Sequence, residues 1–129
     1  MIDMEAERAA IRRHMEAVEA AENGRDEEAF LATMVDDVIL QWPRQPEIVG
    51  KEAARAWFRE AMASFASSDE TILQIEVAAS GDVAWQRGTY VTTYEGPTGR
   101  TETEGKYLDV MRKVEGEWLS VVVATSGNG

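Results

Sequence analysis

Cysteine is absent from the 129 residues and histidine occurs once. Without thiols the chain has no disulfide, no thiol nucleophile and no thiolate metal site. A single imidazole excludes the multi-histidine zinc centres. Basic charge is scarce: 13 Lys and Arg stand against 24 Asp and Glu, a net charge of −11. Nucleic acid and anionic membrane surfaces both call for a basic face, so neither is an expected partner. The N-terminus is charged from Asp3 onward, unlike a secretion signal or a membrane span, which leaves a cytoplasmic location as the expectation. What is present, 44% hydrophobic and 29% charged residues, is ordinary for one globular domain over residues 1–129 with a single core.

The apolar pattern changes along the chain. Residues 2–22 are rich in Ala, Glu, Arg and Met, and Met4, Ile11, Met15 and Val18 recur at helical spacing. His14 falls at the edge of that stripe, as a structural residue of the helix margin or as a proton-transfer group at a pocket mouth. Asn23-Gly24 stops the helix, and Asp26 caps a short second helix through Met34. Asp36-Asp37 reads as a turn, residues 38–42 as a strand stopped by Pro43, and 43–49 as a loop. A third helix runs from Gly50 to about Phe65. Trp57 and Phe58 are adjacent in it, so one packs in the core and the other at a second surface or a pocket. Ser67 to Glu70 reads as a linker.

From Thr71 the period is two. Leu73, Ile75 and Val77 belong to one strand, residues 83–95 to a second, a third ends at Arg112, and 118–125 form the last. Turns fall at 80–82, 96–99 and 115–117, and 126–129 read as a frayed tail. Helices followed by antiparallel strands predict an α+β fold: a curved antiparallel sheet wrapped around about three helices, with an interior able to hold a small molecule.

Residues 105–112, Gly-Lys-Tyr-Leu-Asp-Val-Met-Arg, carry the chemistry. Strand alternation puts Tyr107, Asp109 and Met111 on one face and Lys106, Leu108, Val110 and Arg112 on the other. Asp is rarely buried without a partner. Asp109 is therefore either a paired structural residue or a pocket carboxyl, held neutral or poised for proton transfer.

Several short pieces keep a recognisable order and spacing. They are Asn23-Gly24-Arg25-Asp26, Asp36-Asp37-Val38-Ile39-Leu40, Val49-Gly50-Lys51-Glu52-Ala53, Ser80-Gly81-Asp82-Val83-Ala84, Arg87-Gly88-Thr89-Tyr90, Gly105-Lys106-Tyr107-Leu108 and Gly116-Glu117-Trp118. Together they resemble the SnoaL-like group of the nuclear transport factor 2-like superfamily, the fold that also holds ketosteroid isomerase. The resemblance implies a cone-shaped α+β barrel with an internal pocket. It leaves activity open, because the superfamily hosts isomerases, cyclases, dehydratases, epoxide hydrolases and binding or assembly domains.

Carried over by position, the isomerase's aspartate base falls at Trp42 and its oxyanion-hole tyrosine at Val18. Its second oxyanion-hole carboxyl is matched at Asp109, anchored by Arg112. The Asp that the SnoaL-like group often has near the end of this strand has Val123 as its nearest match. The implied register turns Trp85, Arg87, Thr89 and Val91 inward with Tyr107, Asp109 and Met111, followed by Val121, Val123 and Thr125. The candidate catalytic set is thus Asp109, Arg87, Tyr107 and His14, with Val18, Trp42, Phe58, Trp85, Met111 and Val121 lining the substrate. An Arg87 beside Asp109 would hold its carboxyl down while apolar walls push it up.

The expected function is an isomerase, cyclase or dehydratase acting without cofactor or metal on a small apolar or amphipathic oxygenated molecule, with Asp109 as acid–base group. The alternative is a non-catalytic binding or dimerisation domain with a vestigial pocket. The opposite sheet face, with Leu108, Val110, Ala84, Tyr90, Tyr94, Trp118 and Val122, is expected to be covered in a two-fold homodimer.

Overall fold

In the computed structural model, which describes residues 2–128, Asp3 caps the first helix by accepting from the Ala6 backbone N–H at 3.1 Å. Helix α1 (Met4–Asn23) is followed by α2 (Glu27–Leu31), capped in the same way by Asp26. Strands β1 (Met34–Gln41) and β2 (Ile48–Val49) precede α3 (Lys51–Met62). Four long strands complete the chain: β3 (Phe65–Val77), β4 (Val83–Gly96), β5 (Gly99–Val114) and β6 (Glu117–Gly127). The sheet order is β2-β1-β6-β5-β4-β3. It curves around the helices without closing. Among the described residues no helix is long and apolar enough to cross a membrane.

The α+β architecture matches the expectation, and several local assignments change. The pairing is antiparallel except between β1 and β6, which run parallel. Helix α2 ends at Leu31, short of Met34, because Met34 pairs with Ser120 and opens β1. Asp36 and Asp37 are no turn: they lie exposed inside β1, where its register against β6 shifts between Met34 and Ile39. Ile48 and Val49, read as loop, form an edge strand against β1.

Helix α3 stops at Met62, and Phe65 starts β3. The supposed linker 67–70 is also strand. The Asn23 side chain donates to the Ser68 carbonyl (3.2 Å) and accepts from its N–H (3.0 Å), while β4 pairs alongside. Leu73 sits at a register shift between Ile72 and Gln74 and is 56% exposed, so Ile75 takes the inward place without it. Ser126 and Gly127 pair with Lys106 and Gly105 instead of fraying; Gly129 lies outside the described residues.

Two apolar clusters close the structure. One joins Ala21, Phe30, Leu31, Val38, Leu40, Ala54 and Phe58 between the helices and β1. The other joins Ile11, Ile75, Ala84, Met111 and Trp118, where α1 crosses the long strands.

Candidate functional site

The inward face of β5 carries Gly105, Tyr107, Asp109 and Met111 in succession. Met111 is fully buried in the second cluster and plugs the space beyond Asp109. Asp109 itself is 3% exposed. Its Oδ2 accepts from Ser120 Oγ at 3.0 Å and from Gln86 Nε2 at 3.4 Å. Its Oδ1 is buried and has no hydrogen-bond partner. Among the described residues no Lys or Arg pairs with it. Burial pushes the carboxyl up to about 7, against the pull of the Ser120 and Gln86 hydrogen bonds.

Further groups fix those two donors. Tyr107 donates its phenolic proton to Gln86 Oε1 at 2.5 Å, which leaves the amide nitrogen of Gln86 for Asp109. The phenol is itself pushed up, by burial and then by the neighbouring Asp109 charge. Its ring crosses β4 at Gly88, where a Cβ would stand 2.8 Å from the Tyr107 hydroxyl and 2.0 Å from the Thr71 carbonyl oxygen. On the other side, His14 Nε2 lies 2.9 Å from the Thr33 carbonyl oxygen and 3.4 Å from Ser120 Oγ. A carbonyl only accepts, so Nε2 carries the proton. Burial lowers the His14 pKa, opposed by the Thr33 bond, and favours the neutral ring. The Thr33 carbonyl also accepts from the Ser120 N–H at 2.9 Å, which ties the start of β1 to β6.

Asp109, Tyr107 and Ser120 line a cavity of about 490 Å³. Its apolar wall includes Met15, Val18, Trp42, Trp57, Met62 and Val123. Its polar lining adds Glu22, Glu60, Glu70, Ser68, Thr92 and Arg44. The Trp42 and Trp57 ring centroids are 5.2 Å apart.

The structure brings Asp109, Tyr107 and His14 together, but His14 stands behind Ser120 and does not line the cavity. Arg87 is not part of the group. It is exposed on the outer face and donates to Gln74 Oε1 at 2.8 Å. The β4–β5 register explains this: Gln86, not Arg87, lies opposite Asp109. The same register puts Trp85, Thr89 and Val91 outside and turns Ala84, Gln86, Gly88, Tyr90 and Tyr94 inward, the reverse of the expected faces.

Val18 and Trp42 line the cavity as expected. Phe58 does not: it stacks on Phe30 at 4.6 Å in the core, and its neighbour Trp57 takes the cavity wall. Met111 is core rather than lining. Val121 sits where the β5–β6 register shifts, so Ser120 and Val123 face inward in its stead. Trp118 is likewise an inward core residue.

Gln86, Ser120, Thr33, Glu22 and Glu70 are the polar residues that sequence reasoning missed. Gln86 alone left a readable signal, through the two-residue turn that closes its hairpin.

Together, the curved sheet, three helices and polar-ended cavity define the cone-shaped α+β class that ketosteroid isomerase-like proteins share. The chain belongs to the SnoaL-like domain family, which matches residues 11–121. No curated protein matches it in sequence. Among solved structures it is similar to a ketosteroid isomerase-like protein from Erwinia carotovora atroseptica, at 26% identity over 94% of this chain and 95% of that one, with a TM-score of 0.83. Two Novosphingobium aromaticivorans proteins share the fold. One is named as a candidate scytalone dehydratase (20% identity, TM-score 0.81, 96% and 85% covered). The other is named as a candidate aromatic ring hydroxylase (21% identity, TM-score 0.84, 100% and 93% covered).

Proposed function

We propose that this chain is an enzyme that moves a proton on a small, largely apolar, oxygenated molecule, in an isomerisation, cyclisation or dehydration, with Asp109 as the acid–base group and no cofactor. The observation that carries the proposal is the Asp109 carboxyl: buried on the wall of an apolar cavity, without a cation, with one oxygen unpartnered. A carboxyl raised to about 7 is populated in both forms at neutral pH. The acid form donates to a substrate oxygen, and the carboxylate accepts a proton from carbon or oxygen. Gln86 and Ser120 occupy Oδ2 and leave Oδ1 for the ligand. Tyr107 acts through Gln86, and His14 through Ser120, as positioning residues.

The test is the ring opening of 5-nitrobenzisoxazole, a one-step proton transfer to a base. Its rate should follow one ionisation near about 7. Asp109→Asn should lower it by roughly a hundredfold or more. A rate indifferent to Asp109→Asn sinks the enzyme reading and leaves a binding domain with an inert pocket.

The assembly proposed with this site is a two-fold dimer through the outer sheet face. Leu73, Val83 and Leu108 are 56%, 46% and 43% exposed there, an apolar set that a partner copy would cover. Light scattering at micromolar concentration tests it, and a monomer mass refutes it.

A further inference from the structure

A second carboxyl group set stands in the same cavity and takes no part in the Asp109 network. Glu22, at the end of α1, and Glu70, in β3, both line the cavity. Their carboxyl groups are close enough to shift one another's ionisation. Glu70 Oε1 accepts from Ser68 Oγ at 3.2 Å. One turn before Glu22, Glu19 Oε1 accepts from the Glu70 backbone N–H at 2.8 Å and holds the strand against the helix. Glu22 Oε1 and Glu70 Oε2 are buried and have no hydrogen-bond partner. Among the described residues none of the ion pairs includes Glu19, Glu22 or Glu70. Burial pushes both groups up; the Glu19 charge adds to this for Glu22 while its Glu70 contact opposes it, and for Glu70 the Glu22 charge adds further, so the pair favours holding a proton between its members.

The rest of the cavity points the same way. Of its lining residues only Arg44 is basic, while four are acidic: Glu22, Glu60, Glu70 and Asp109. Independently of the glutamate pair, Asp109 lines the same cavity, is 3% exposed and has its Oδ1 without a partner. A carboxylate only accepts hydrogen bonds, so it is satisfied by a ligand rich in donors. Tyr90 and Tyr94 line the wall beside the pair and present rings to which a cation is attracted. Among the described residues no three carboxyl or imidazole groups are placed to hold a metal ion. A protonated basic nitrogen, of which an alkylammonium is the simplest, brings positive charge and several N–H donors at once.

We infer that the Glu22–Glu70 pair is the recognition site for a basic nitrogen, so that the ligand is an apolar molecule bearing an amine and anionic molecules are rejected. This rests on the reading that the cavity is the ligand site and adds the class of molecule it takes. On binding, a neutral amine takes up the pair's proton, or an ammonium displaces it to solvent, and the resulting ammonium donates to both carboxylates. Phosphates and carboxylates meet uncompensated negative charge and are excluded.

The experiment compares 4-phenylbutylamine, 4-phenylbutanol and 4-phenylbutyrate, three probes of one shape and different charge, by calorimetry at neutral pH and low salt. The amine should bind about tenfold or more tighter than the alcohol, with the acid weakest. Glu70→Gln and Glu22→Gln should each reduce that preference to about twofold or less. Two assays separate this result from the acid–base reading: that reading fails in the proton-transfer assay with Asp109→Asn, this one in the charge ranking with Glu22→Gln and Glu70→Gln. The inference is overturned by equal or tighter binding of the alcohol or the acid on the unsubstituted protein. It is equally overturned by no binding of the amine up to ~10 mM, or by a preference that survives both glutamine variants.

Discussion

Replacing Asp109 by Asn should stabilise the protein above neutral pH and do little below about pH 4. Ionising this carboxyl inside the fold is uphill because burial strips its water and no cation replaces it. Its pKa is 3.8 when unperturbed and about 7 in the folded state. Between those values the native state binds the proton that the unfolded state releases, so stability falls as pH rises through the window. At about 1.4 kcal/mol per pKa unit, the full difference is about 4 kcal/mol, an order-of-magnitude figure. The loss is complete once pH exceeds the folded value and absent below the unfolded one.

Asn keeps the shape and offers an amide oxygen to the Ser120 hydroxyl and Gln86, but it cannot ionise. Urea unfolding of both proteins from about pH 4 to about pH 9 reads the effect directly. The difference should favour the Asn variant by a few kcal/mol at about pH 9, by about 1–2 kcal/mol at about pH 5, and by under about 1 kcal/mol at about pH 4. His14 and the Glu22–Glu70 pair titrate in both proteins and cancel in the comparison. His14, with its pKa lowered, adds stability above its unfolded value that is lost as pH falls. An Asn variant less stable than the parent by the same amount at every pH would refute the reasoning, since it would mean that the ionised form is held by the fold.

Three smaller changes probe the surroundings. Tyr107→Phe removes the donor to Gln86 Oε1 and leaves a buried acceptor unsatisfied, so unfolding should become easier by about 1–3 kcal/mol. The Asp109 carboxyl, followed by NMR titration, should then move further up as its Gln86 partner loosens. Gly88→Ala puts a methyl group 2.0 Å from the Thr71 carbonyl oxygen; β3 or β4 must shift, and the melting temperature should fall by several degrees, about 2 kcal/mol or more. Arg87→Ala, on the outer face, should change stability by less than about 0.5 kcal/mol in a urea titration.

The sequence carried the element order, the family and the inward face of β5, because these rest on local periodicity and turn residues. Across β4, the face was assigned from the family register and came out reversed. The correct phase was within reach. Gly96 pairs with Gly99 around a two-residue turn at Pro97-Thr98, and counting back from that turn reaches Gln86 opposite Asp109. The misplaced Val121 is a different case. The register shift between Val110 and Met111 has no glycine or proline beside it, so alternation alone could not show that Ser120 would face Asp109. Glu22 and Glu70 were unreadable for a third reason. Their meeting depends on β3 starting at Phe65, and a Ser-Ser-Asp-Glu stretch has weak strand propensity until Asn23 and β4 hydrogen-bond to it.

Where the basic residues lie bears on what the interior acids are for. The chain has 13 Lys and Arg, enough to neutralise three buried carboxyls many times over. Among the described residues, those that form ion pairs form them elsewhere. Arg55 and Arg59 pair with Glu27, and Arg55 also with Glu28 and Glu52, across the α2–α3 surface. Lys113 pairs with Glu7 and Lys51 with Asp36. Arg25 donates to the carbonyls of Met62 and Phe65. A carboxyl whose task was only structural would be expected to have a cation or a full set of donors, because an unpaired buried charge is among the costliest features a fold can carry. Asp109 has two donors on one oxygen and none on the other. Glu22 Oε1 and Glu70 Oε2 have no hydrogen-bond partner. Each of these groups has its pKa raised, lines the cavity and is left short of partners. That is the arrangement the proposed function requires, of groups that exchange a proton, or a hydrogen bond, with a molecule that enters.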